Sequence, residues 1–243
     1  VKIRILGAHN LESRDSRFIS LLIDDVLAID AGALTSSLSQ AAQQKFNAVL
    51  LTHQHYDHIR DIPALGMNFY VHKNTLDIYT TRAAYNILTA HFLNDIVYPD
   101  YMTKPPEKPT LRFVELQAGK EETIAGYTVL PVTVNHAVPT VGYQVTSAEG
   151  KKVFYTADTG PGLAETWKQI TPDLLIIETT ALNKYDDFAR QTGHLTPGLL
   201  RQELESFREI RGYLPQIVLV HVNPLDEKGI RAEVSEVARA LKT

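Results

Sequence analysis

Residues 53 to 58 read His53-Gln54-His55-Tyr56-Asp57-His58. Three imidazoles and a carboxylate thus fall within six residues of a chain that has nine histidines in all. Imidazole nitrogens and carboxylate oxygens are borderline ligands that suit zinc, iron or manganese. One ion rarely takes four neighbouring side chains, because the local backbone cannot wrap it. Two ions could divide them, with His53 and His55 on one and Asp57 and His58 on the other. The bland alternative is a solvated His-rich loop. Against it stands the short apolar stretch 48–52 just before, which reads as a strand buried on both faces and fixes where the cluster begins. The chain has no cysteine, so disulfides and thiolate ligands or nucleophiles are excluded. Any transition-metal site must be built from histidine and carboxylate.

Further ligands must come from the ends of other strands, the usual place for function on a sheet scaffold. His136 follows a predicted strand at 127–134, Asp158 follows one at 152–156, and His221 ends one at 217–221. Each alone would read as a cap or turn residue. Other strands are expected at 1–6, 18–24, 26–30, 111–116, 141–146 and 174–178, the second and third joined by a tight hairpin at Asp24-Asp25. Helices are expected at 34–44, 76–92, 197–210 and 229–241. Strands come first in pairs and then alternate with helices, in two successive blocks. That order fits two sheets packed face to face with helices outside.

The 243 residues suit one large domain or two small ones, and a single domain, 1–243, is expected. Four of the 12 prolines lie between positions 99 and 109, so residues 75–110 read as an insertion on its outside. The insertion should shape substrate access or a homodimer surface without supplying ligands. Tyr79, Tyr85, Phe92, Tyr98 and Tyr101 could wall a pocket there, with core or dimer packing the preferred reading. Arg60, His72, Lys73 and Arg82 could meet phosphate or simply be surface. His9 could reach the site edge, and His91 is expected to pack. The formal net charge of −4 argues against a grip on long nucleic acid. Apolar runs are too short to cross a bilayer and the N-terminus lacks a signal-like stretch, so a cytoplasmic protein with no membrane partner is expected.

His-x-His-x-Asp-His after an apolar strand, then a third His, then Tyr-x-x-Asp-Thr, then a final His after an apolar strand, resembles the metallo-β-lactamase superfamily. The resemblance implies an α+β, four-layer αββα sandwich with two divalent transition-metal ions, zinc first, with manganese or iron as alternatives. Carried over, it puts His53, His55 and His136 on the first ion and Asp57, His58 and His221 on the second. Asp158 bridges them, and Asp30, at the end of the strand 26–30, supports a ligand from behind. Asp57 also counts among the residues that act in catalysis.

The segment His136-Ala-Val-Pro139 with Gly142-Tyr143 is similar to the third-histidine region of the tRNA 3′-processing nucleases. So is Val153-Phe-Tyr-Thr-Ala-Asp158-Thr, and Ile177-Glu178-Thr-Thr180 is similar to their glutamate motif. Gly193-His194-Leu-Thr-Pro197 resembles their extra histidine motif, and resembles even more the His-Leu-Ser/Thr-Pro segment of class II cyclic-nucleotide phosphodiesterases. Both relatives cleave phosphodiesters, so a small phosphodiester substrate is expected. Two ions would acidify a bound water and offset phosphate charge. His194 would assist the departing oxygen, and Glu178, acting only through His194, would hold its ring. A long arm between the third His and the bridging Asp, as in bacterial tRNA nucleases, is missing. Positions 136 and 158 leave room for a hairpin alone, which argues against tRNA maturation. The competing readings are a lactonase, thioesterase or β-lactamase on the same scaffold, a flavodiiron oxidoreductase, or a non-catalytic metal-binding module.

Overall fold

In the computed structural model, which describes residues 1–242, the first hairpin turns at Asp24 and Asp25, both with left-handed backbone (φ 47° and 59°). That conformation matches the twist of the strands it joins. The strands are β1 (Ile3–Gly7), β2 (Ser20–Ile23) and β3 (Leu27–Ile29). Next come β4 (Ala48–Leu50), β5 (Leu76–Thr80) and β6 (Leu111–Glu115). They form one sheet in the order β1-β2-β3-β4-β5-β6. Pairing is antiparallel through β3 and parallel from β3 to β6. Every residue of β4 is buried, as its unbroken apolar run requires. This sheet belongs to a unit made of Val1–Gly7 and Ser13–Gln117. Its core includes Phe46, Leu65, Phe69, Ile78 and Tyr101.

The second unit comprises Ala8–Glu12 and the chain from Ala118 onward. Its strands are β7 (Glu122–Ile124), β8 (Tyr127–Thr133) and β9 (Val141–Thr146). Then follow β10 (Lys152–Tyr155), β11 (Leu174–Glu178) and β12 (Gln216–Val220). The order is β12-β11-β10-β9-β8-β7, with β10, β11 and β12 mutually parallel and the rest antiparallel. Strands β8, β10, β11 and β12 therefore run in one direction and end at one edge of the sheet. Trp167 and Phe207 meet edge to face at 5.3 Å in the core, and Trp167 Nε1 donates to the buried Glu203 carboxylate at 3.0 Å. The helix Pro197–Arg211 shows why the sequence starts and stops it there. Thr196 caps it by accepting from Leu199 N, Pro197 opens it, and Gly212 ends it at φ 80°.

Two mixed sheets with helices between the parallel strands match the expected α+β class. Two elements differ. Residues 76–80 do not begin a helix: Leu76, Ile78 and Thr80 are buried and alternate with half-buried neighbours, so β5 is a central strand. The helix starts only at Arg82, where Thr81 accepts from Ala84 N as its cap. The region 34–44 is two short helices, Leu34–Ser37 and Gln40–Gln43, broken by the extended Leu38 and Ser39. Strand β7 and the helix Ile62–Val71 carried no prediction. No helix of the described residues is long and apolar enough to cross a membrane.

Candidate metal centre

In the first unit, β3 and β4 are parallel neighbours, and the residues just past their ends converge on one carboxylate. Asp30 leaves β3 in the left-handed region (φ 56°) and is wholly buried. It accepts from Thr52 N at 2.9 Å, from Thr52 Oγ1 at 3.0 Å and from His58 Nδ1 at 2.7 Å. A hydroxyl has one proton. Because Thr52 gives it to Asp30, the His53 Nδ1–H is the donor in the 3.0 Å contact between His53 and Thr52 Oγ1. Asp30 thus holds His58 directly and His53 through Thr52, and makes Nε2 the nitrogen through which either ring could bind a metal.

His55 precedes the short helix Tyr56–Ile59, and its carbonyl accepts from His58 N at 3.0 Å. That turn gathers the four side chains at one place. Ligand atoms of His53 and His55 lie within 4.8 Å of each other, as do those of Asp57 and His58. The rings of His53 and His58 are closer still, with centroids 4.2 Å apart against 4.7 Å for His53 and His55. Gly32 is needed beneath the turn, since a Cβ there would stand 2.0 Å from the Asp57 carbonyl oxygen.

In the second unit the ligand candidates follow β8, β10 and β12 at their common edge. Asp158 is buried, with Oδ2 3.2 Å from His221 Nε2 and 3.9 Å from His136 Nε2. One carboxylate oxygen therefore faces two imidazoles, the arrangement of a shared ligand. The far nitrogens are held: His136 Nδ1 donates to the Gly193 carbonyl at 2.8 Å, and His221 Nδ1 donates to Thr180 Oγ1 at 2.7 Å. Burial pushes His136 below the ordinary imidazole range, outweighing the opposite pull of Asp158 and of the Gly193 bond. A neutral ring is the form that can bind a metal. Gly193 must be glycine, because at φ 72° a Cβ would also lie 3.0 Å from His136 Nδ1.

Glu178, the last residue of β11, is wholly buried and accepts four hydrogen bonds. Oε1 takes Thr159 N and His194 Nδ1, each at 2.8 Å. Oε2 takes Thr180 Oγ1 at 2.6 Å and Leu195 N at 3.1 Å. Although Glu178, His194 and His221 lie close enough to suggest a further metal site, the lone-pair capacity of this carboxylate is filled by donors. Glu178 is a positioning residue. It holds His194 directly and is linked to His221 through Thr180, a link the sequence did not show. His194 stacks on His221 (5.3 Å, 13°) and meets His136 edge-on at 5.0 Å. Its side chain keeps 18% exposure while the rings of His136 and His221 are buried. Asp57, at 19%, is comparably open.

The donors are oxygen and imidazole nitrogen. Each of His53, His58, His136 and His221 has Nδ1 engaged, and Nε2 of His58, His136 and His221 faces a carboxylate: Asp57 for His58, Asp158 for the other two. Divalent transition-metal ions suit such sets. Thr52, Thr180 and the Gly193 carbonyl were not singled out from the sequence. Thr180→Val keeps the shape but removes the hydroxyl that joins Glu178 to His221. Metal affinity is expected to fall about 10–100-fold, with roughly 1–3 kcal/mol of stability lost to the stranded partners. Thr180→Ser should retain both. Competition with a chromogenic chelator measures this, and unchanged affinity in Thr180→Val would show that the hydroxyl does not orient His221.

Other candidates lie apart from these sets. His9 pairs through its backbone with Val222, and its ring faces Glu227 at 3.8 Å. His91, expected to pack, is exposed on the last turn of its helix, where a cation is favoured. His72 and Lys73 are exposed, Arg82 pairs with Glu115, and Arg60 pairs with Asp61. Tyr101 is core, with Phe92 and Tyr98 packed against that core, and Tyr85 stacks on Phe113 at 4.0 Å. No residue of 75–110 joins a candidate metal-binding group among the described residues.

The fold has solved counterparts. YhfI of Bacillus subtilis, a metallo-beta-lactamase fold protein, aligns with TM-score 0.76 and 21% identity over 97% of this chain and 91% of its own. Unliganded yeast PDE1 aligns with TM-score 0.83 and 16% identity over 98% and 93%. The short form of human tRNase Z aligns with TM-score 0.65 and 19% identity over 92% and 93%. No curated protein matches the sequence. The family described as the beta-lactamase superfamily domain matches residues 21–222, which take in both units and every candidate ligand, and the chain belongs to that family of metal-dependent hydrolases.

Proposed function

We propose that this protein is a dinuclear metal-dependent phosphodiesterase acting on a small, nucleotide-like phosphodiester. In this reading residues 1–243 work as one metallo-β-lactamase-fold domain. His53, His55 and His136 hold one ion, Asp57, His58 and His221 the other, and Asp158 serves both, with zinc the first choice of metal. Bound divalent ions would supply Lewis acidity and a lowered water pKa.

The observation that carries the phosphodiester reading is His194. It is an imidazole reachable by solvent, packed on two ligand rings, with Nδ1 fixed by a buried carboxylate that has no capacity left for metal. Its Nε2 is then the atom that gives a hydrogen bond or proton to a departing alkoxide. An alkoxide leaving phosphorus needs that help. A lactone also expels an alkoxide, so what favours phosphorus is that the segments around Glu178 and His194 resemble those of phosphodiesterases. The names of two fold neighbours, yeast PDE1 and human tRNase Z, point the same way.

Assay of the purified protein on bis-p-nitrophenyl phosphate, cyclic nucleotides, a lactone and nitrocefin tests the reading. Phosphodiester turnover is expected, abolished by chelator and restored by zinc or manganese. Turnover of the lactone or nitrocefin with none of any phosphodiester would overturn it.

A further inference from the structure

Within the second unit a cavity of about 470 Å³ is lined by Asn10, Thr180, Ala181, Tyr185, Phe188, Asn223 and Asp226. It borders Glu178 and His221, since Thr180 on its wall is the residue whose hydroxyl joins those two. Two features of its lining are unusual. Phe188 is 61% exposed and Tyr185 42%, although both are large aromatic rings. They sit on the turn Asn183–Tyr185 and the helix Asp186–Thr192, the segment that leads directly into His194. The polar lining, moreover, is rich in acceptors. Asn10 Oδ1 is buried without a hydrogen-bond partner among the described residues. Asp226 stands at the start of the helix Glu227–Leu241 yet its carboxylate makes no cap bond. Asn223 Oδ1, by contrast, is occupied by Leu225 N at 3.0 Å.

Aromatic rings exposed beside acceptors call for a flat ligand that offers N–H groups. A nucleobase stacks on such rings. Among the bases, guanine presents N1–H and N2–H side by side, matching the two oxygens of one carboxylate, and keeps a second N2–H for another acceptor. Adenine would turn the N1 lone pair toward that carboxylate. We propose that this cavity is the base pocket of the phosphodiesterase site and prefers guanine. Phe188 and Tyr185 stack on the base, Asp226 accepts N1–H and N2–H, and Asn10 Oδ1 accepts the remaining amino hydrogen. The proposal rests on the phosphodiesterase reading for the identity of the substrate, but its test does not require turnover.

Isothermal titration of zinc-reconstituted protein with 5′-GMP and 5′-AMP isolates the base edge, because the two share phosphate, ribose and a purine face. GMP is expected to bind about tenfold tighter or more. Asp226→Asn puts an amide N–H where an acceptor is needed, and should weaken GMP about tenfold while leaving AMP within about twofold. Phe188→Ala should weaken both about tenfold and Phe188→Tyr should restore both. Both side chains are partly or largely exposed, and an unchanged melting temperature confirms that each variant is folded. Equal binding of GMP and AMP by the wild type, or a GMP preference that survives Asp226→Asn, overturns the pocket. Bis-p-nitrophenyl phosphate, which has no purine, separates the two readings. Asp226-dependent GMP binding without its hydrolysis removes the reaction and leaves the pocket, and hydrolysis without purine preference removes the pocket alone.

Discussion

Asp158→Ala is expected to take the protein from about two bound divalent ions per chain to fewer than one, with turnover lost alongside. Asp158 is 1% exposed, and its Oδ2 faces the Nε2 atoms of both His221 and His136. Removing it leaves two neutral rings with no negative charge between them, so a cation would have to be desolvated without compensation. The metal-free variant should nevertheless fold, because a buried carboxylate awaiting a cation is costly in the apo state. The test is therefore twofold: elemental analysis after zinc loading, and the rise in melting temperature that zinc produces. The wild type should show a large rise and the variant little or none, from similar metal-free values. A variant that keeps its full complement of metal and its activity would show that Asp158 is not the shared ligand.

His194→Ala should behave in the opposite way, binding metal as the wild type does yet turning over about 10²–10⁴-fold more slowly on substrates with an alkoxide leaving group. The loss should fall on kcat more than on KM, because the departing oxygen carries its charge only in the transition state. With p-nitrophenolate, which leaves without a proton, the loss should be much smaller. Equal losses on both kinds of substrate would make His194 a phosphate-binding or structural residue, and lost metal would make it a ligand. Glu178→Gln is expected to be the more damaging change. Its amide nitrogen would replace one of two acceptor oxygens that between them receive Thr159 N, Leu195 N, His194 Nδ1 and Thr180 Oγ1. Metal content should therefore fall along with turnover, since His221 hangs from the same carboxylate through Thr180.

The ligand candidates were legible in the sequence because their signal is local. His53 to His58 are contiguous, and His136, Asp158 and His221 each follow an apolar strand. Glu178 and His194 came from short motifs. What escaped was whatever depends on contact between distant segments. Nothing marks Thr52 or Thr180 as more than a polar residue after a strand until Asp30 and Glu178 are seen beside them. Gly193 contributes a carbonyl, which no side-chain pattern reports. Strand β5 was hidden because Leu76 and Ile78 run on into the apolar residues of the following helix, and only the cap at Thr81 separates the two periods. The exposed Phe188 lies on a helix, Asp186–Thr192, for which the sequence carried no prediction.

One buried carboxylate, one threonine and two histidines occur together in each unit: Asp30 with Thr52, His53 and His58, and Glu178 with Thr180, His194 and His221. This changes what substitution can do at these positions. Threonine is ordinarily an exchangeable residue, yet at 52 and 180 it must both give a proton to a carboxylate and receive one from an imidazole, and serine is the only other side chain of that size that does both. The acidic position is equally narrow, since its loss releases two rings at once. Random mutagenesis scored for activity should therefore find Thr52 and Thr180 as intolerant as the histidines they serve, with serine the only frequent survivor.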